Sequence, residues 1–84
     1  TAEGHKKTCA KFYDNMNATS SPIQKEVLRA GLRGAIEDWN AQLSEHVVDV
    51  HYATPQIAVD IVNQRIKTFF GMYFSHIDSS FFET

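Results

Sequence analysis

Cys9 is the single thiol of the 84-residue chain, and His5 stands four residues before it. That spacing is one helical turn, so on a helix the imidazole and the thiol share a face. A catalytic thiol needs such a base nearby and an electropositive, partly open setting that favours the thiolate. Lys6 adds a positive neighbour. The same cysteine also belongs to an apolar spacing with Phe12, Tyr13 and Met16, where a small thiol packs as a hydrophobe. Packing is the expected role. One cysteine forms no disulfide within the chain, which leaves an interchain link through Cys9 as the covalent option.

The histidines come next. His46, Asp49 and His51 are close in sequence, and on a strand Asp49 and His51 would lie on one face. A zinc ion needs three or four ligands converging at about 2.0–2.3 Å. The step from His46 to His51 suits neither a helix face nor a strand face, and His5 or His76 could join only through tertiary contact. These side chains are expected to be surface or linker groups, with no metal and no cofactor. The carboxylates Glu37, Asp38, Asp49, Asp60 and Asp78 show no spacing that marks an acid/base pair. There is no phosphate-binding glycine loop, no G-x-S-x-G, no H-E-x-x-H and no cysteine pair. Asn17-Ala18-Thr19 is a formal N-glycosylation sequon in an expected loop. No catalytic residue is assigned.

Charge narrows the partners. The formal net charge is −2, so the chain has no broad attraction to nucleic acid or to an anionic membrane. Lys25, Arg29 and Arg33 do form a basic stripe, and Lys6, Lys7 and Lys11 cluster on an earlier segment. They could meet a phosphate backbone if they converged, but Glu26, Glu37 and Asp38 share the same helix, and solvated faces explain them more simply. No apolar run approaches the 18 or more residues of a membrane span. The reading is of a soluble chain, either cytoplasmic or exported after processing.

The elements that must position these groups are legible from periodicity. Two Ser/Thr–Pro signals divide one expected domain, residues 1–84, into three pieces. The expected fold is all-α, a small bundle of three main helices at about 3–16, 22–44 and 55–76, with a short extended segment near 46–52. In the second helix Ser21 is placed to cap, Pro22 suits the first turn, and Gln24 can complete a capping box. Leu28, Leu32, Ala35, Ile36, Trp39 and Leu43 then trace one apolar stripe. Gly31 and Gly34 inside this helix cost about 1 kcal/mol each relative to Ala, which implies a neighbouring backbone packed close. The alternation of residues 46–52 fits a strand only if a partner chain supplies a second one; extended or irregular backbone is expected instead.

The third helix carries Ile57, Ala58, Val59, Ile61, Val62, Ile66, Phe69, Phe70, Tyr73, Phe74 and Ile77, apolar around much of its circumference. A helix of this kind is central to a bundle, or is sandwiched between its own core and a partner. Trp39, Phe69, Phe70, Tyr73, Phe81 and Phe82 are the candidate contact residues, because aromatics dominate many interfaces. They could equally fill the core, and for Trp39 and Phe70 the core is the expected place. Thr8-Cys9-Ala10-Lys11-Phe12-Tyr13 resembles the start of a secretoglobin chain, but that family closes its dimer with a second cysteine near the chain end. Tyr73 to Thr84 has none, so no family is assigned.

The leading expectation is therefore a non-catalytic protein-interaction module, such as an inhibitor, an immunity-type protein, an adaptor or an accessory subunit, self-associating as a homodimer. The alternative is a small-molecule binder or minor enzyme with an apolar pocket between helices, where Cys9, His51 or Tyr73 would be the polar handles. Nucleic-acid binding through Lys and Arg of the first two helices is the weaker alternative.

Overall fold

A computed structural model describes residues 1–73 of the chain as three helices: α1 (Ala2–Ala18), α2 (Pro22–Ala41) and α3 (Pro55–Tyr73). This is a small all-α bundle, and no strand occurs among the described residues. The reach of α3 to residue 76, and Phe81 and Phe82, lie outside them.

Each helix opens on a hydroxyl that accepts from an otherwise orphaned amide. Thr1 Oγ1 accepts from Gly4 N at 3.0 Å, Ser21 Oγ from Gln24 N at 3.2 Å, and Thr54 Oγ1 from Ile57 N at 3.2 Å. The second half of the expected capping box is made differently. Ser21 N donates to Thr19 Oγ1 at 3.2 Å, so Thr19 takes the place foreseen for Gln24. α1 runs further at both ends than 3–16, which shortens the following loop to residues 19–21 and puts Asn17 in the last turn of α1. α2 stops at Ala41 rather than near 44. Gln42 still turns helically, its N–H bonding Asn40 and Trp39 carbonyls, and the chain then leaves the axis. The 46–52 segment has no strand. It is irregular, with turns at residues 45–46 and 51–52.

A three-residue loop makes α1 and α2 neighbours. His5, near the start of α1, stacks on Trp39, near the end of α2, while Phe12 lies against Gly31, so the two helices run antiparallel. Cys9 and Met16 of α1, Leu32 and Ile36 of α2, and Ile57 and Ile61 of α3 form the buried core. Phe12, Tyr13, Leu28, Val48, Val50, Tyr52 and Ala53 pack around it. The close approach foreseen at the α2 glycines is real at one of them only, and it is a side chain. A Cβ on Gly31 would stand 2.5 Å from Phe12 Cε1, whereas one on Gly34 would meet nothing within 4 Å.

Candidate functional site

The residues with most chemistry gather where the start of α1, the end of α2 and the 42–54 connector meet. The His5 ring stacks on the Trp39 indole with centroids 4.9 Å apart and planes 10° from parallel, and Tyr52 presents an edge at 5.6 Å. Cys9 Sγ lies 3.8 Å from both His5 ring nitrogens. Trp39 Nε1 donates to Asp49 Oδ2 at 2.9 Å, and His51 N donates to Asp49 Oδ1 at 3.0 Å. These two donors, the His51 amide first, hold the Asp49 carboxyl below its ordinary range.

The cluster has the members of a Cys–His nucleophile pair but the opposite environment. Cys9 is 1% exposed, and burial, followed by the nearby Asp49 charge, pushes its thiol up. A neutral, enclosed thiol is a poor nucleophile. An interchain link through Cys9 meets the same obstacle, since Sγ points into the core and α1 would have to open to release it. The His51 ring tilts over Tyr52 at 4.6 Å, and no three His, Cys, Asp or Glu side chains converge as metal ligands among the described residues.

What the cluster does is hold the connector. Asn40 is 3% exposed. Its Nδ2 donates to the Ile36 carbonyl at 2.8 Å and the Asp49 carbonyl at 2.9 Å, and its Oδ1 accepts from Asp49 N at 2.6 Å. Tyr13 Oη donates to the Tyr52 carbonyl. Burial raises the Tyr13 phenol above its ordinary value. From the far side Arg65 donates to the Glu45 and Val47 carbonyls at 2.7 and 3.2 Å, tying the connector to α3. Arg33 adds an ion pair to Asp60 at 3.3 Å. Irregular backbone thereby finds partners in side chains of all three helices.

The position of α3 divides its apolar residues into two faces. At 100° per residue, Ile57 and Ile61 point one way, and Val59, Val62, Ile66, Phe69 and Phe70 centre roughly opposite. Ile57 and Ile61 are buried, while Val59 is 54% exposed, Ile66 47% and Phe70 45%. Phe69 and Phe70 touch edge to face, centroids 6.0 Å apart. Beside them Glu45, His46, Val48, Arg65, Ile66, Phe69 and Phe70 line a shallow, open depression of about 270 Å³. Placing Phe70 in the core was therefore wrong, because the core contacts of α3 are taken by the opposite face. Trp39 is half-buried, with its N–H used in the connector.

Sequence reasoning saw the breadth of the α3 stripe but not its division, and it missed Asn40. The signal for the division was present. Val59, Val62, Ile66, Phe69 and Tyr73 recur at steps of 3, 4, 3 and 4. The basic stripe of α2 does not present free charge throughout: Arg29 pairs with Glu26 and Arg33 with Glu37, each at 2.9 Å. No helix among the described residues is long and apolar enough to cross a membrane. Compared with family models, curated proteins and solved structures, the chain gives no match in any of the three.

Proposed function

We propose that this chain is a non-catalytic protein-interaction module that docks its partner on the outer face of α3. One observation carries the reading: the exposed stripe of Val59, Val62 and Ile66, continued by half-exposed Phe69 and Phe70, on a helix whose opposite face already supplies the core. Solvent contact at five large apolar side chains on one helix face is unfavourable unless something covers them.

The energy available is moderate. Full burial of such a side chain is worth about 1.5–3 kcal/mol, and roughly half of each remains exposed, so covering five releases about 5 kcal/mol on this side. A partner contributing as much brings the total to about 10 kcal/mol, against an association cost of about 4–15 kcal/mol. A reversible, concentration-dependent contact follows.

The test separates a docking face from internal packing. In dilute chain, Ile66→Lys at this half-exposed position is expected to cost about 1 kcal/mol or less. Ile61→Ala, on the buried face, should cost about 2–5 kcal/mol. Equal losses in the two variants would mean that the stripe belongs to the chain's own packing, and the reading would fail.

A further inference from the structure

We propose that the occupant of the outer α3 face is a second copy of this chain, paired antiparallel along α3; the inference rests on the docking-face reading above. Steps of 3 and 4 between Val59, Val62, Ile66 and Phe69 make the seam by which two helices interlock side chains, with Val59 and Ile66 in one row and Val62 and Phe69 in the other. No charged residue interrupts this row. Asp60 and Lys67 project to the side of it, and Arg65 is turned onto the connector carbonyls. The seam is therefore complementary to an uncharged apolar helix of the same period, which this chain itself presents.

The sizes along the seam choose the direction. The early half carries the small residues Val59 and Val62, and the late half carries Ile66 and Phe69. In a parallel pair Val59 would face Val59 and Phe69 would face Phe69, leaving a gap at one end and a crowded layer at the other. In an antiparallel two-fold pair, Val59 meets Phe69 of the second copy and Val62 meets its Ile66. Each contact is made twice by symmetry, and every layer holds one smaller and one larger side chain.

The area is sufficient for a reversible dimer. The stripe leaves roughly 400 Å² of apolar surface on each copy, within the range of functional patches on small monomers. Pairing covers roughly 800 Å² of it, and flanking atoms bring the total toward the ~1,000 Å² at which specific interfaces begin. A dissociation constant on the order of tens to hundreds of micromolar is expected.

The experiment uses Val59→Cys and Phe69→Cys variants of the full chain, oxidised separately and as a mixture, with the products resolved by mass. Antiparallel pairing gives cross-linked Val59→Cys/Phe69→Cys heterodimer from the mixture and little product from either variant alone. Self-cross-linking of each variant alone would overturn the antiparallel arrangement. Sedimentation equilibrium of the parent chain, carried to ~1 mM, should show a monomer–dimer equilibrium that Ile66→Lys weakens by about tenfold or more. A monomer throughout that range, with no cross-link, would overturn self-association. If Ile66→Lys still cost the dilute chain far less than Ile61→Ala, the docking-face reading would survive that failure.

Discussion

Asn40→Ala tests whether one buried amide holds the connector in place. Asn40 makes two hydrogen bonds to the backbone of Asp49, at 2.9 and 2.6 Å. Its third bond, to the Ile36 carbonyl, lies within α2 and matters less, because that oxygen also serves the helix. Truncation leaves the Asp49 N–H and C=O without partners. A fully buried orphan costs about 1–3 kcal/mol, and the half-buried setting of Asp49 puts each in the lower part of that range, so the expected loss is about 2–3 kcal/mol. For a domain of this size that lowers the melting midpoint by about 10–20 °C. Far-UV circular dichroism measures the whole transition. Trp39 fluorescence reports the connector separately, since the indole donates to Asp49 Oδ2. Asn40 reads the backbone of Asp49 and not its carboxylate, so the penalty should persist in an Asp49→Asn background. A melting midpoint for Asn40→Ala within about 2 °C of the parent would refute the reasoning.

Other consequences follow from the same packing. Gly34→Ala should stabilise α2 by about 1 kcal/mol, while Gly31→Ala, whose new methyl would stand 2.5 Å from Phe12 Cε1, should lose that gain to about 1–3 kcal/mol of overpacking. Chemical denaturation distinguishes them, and equal stabilisation by both would contradict the Phe12–Gly31 contact. Because the folded-state pKa of Asp49 is depressed, its contribution is in place above about pH 4 and disappears as pH falls through the folded value. Asp49→Asn should therefore flatten the acid side of the stability profile, and an unchanged profile would sink the assignment. The raised Cys9 and Tyr13 values have the opposite sign. Their contribution is complete below about pH 8.5 and is lost as pH rises through the folded values, so Cys9→Ala should reduce the alkaline loss. In native chain at neutral pH, Cys9 should react with a disulfide reagent at least about a hundredfold more slowly than in denaturant. Rapid native labelling would show that α1 opens readily.

The helices were legible because their determinants are local. Ser21-Pro22 and Thr54-Pro55 place the starts of α2 and α3, and the Leu28, Leu32, Ile36 spacing already identifies the inward side of α2. The end of α2 was less legible. Leu43 continues the apolar period, but the chain turns away after Ala41, where Asn40 engages the Asp49 backbone nine residues later. No local pattern reveals a side-chain contact with irregular backbone. His5 is similar. Its one-turn spacing from Cys9 is visible in sequence, whereas its stacking on Trp39 requires α1 and α2 to be antiparallel.

By itself, the sequence determined the helical class, two helix starts, the apolar side of α1 and α2, and the excess of apolar residues on α3. These depend on interactions within a few residues. Only the tertiary structure decided which apolar residues of α3 are covered. Ile57 and Ile61 face the core, and Val59, Val62 and Ile66 face solvent, in the same orientation in which Arg33 pairs with Asp60 and Arg65 reaches the connector carbonyls. Burial in the core beside Leu32 and Ile36 likewise converted Cys9 from a candidate nucleophile into an enclosed thiol. Periodicity reports that a helix has an apolar side, but the choice between two such sides is made by what the rest of the chain places against it.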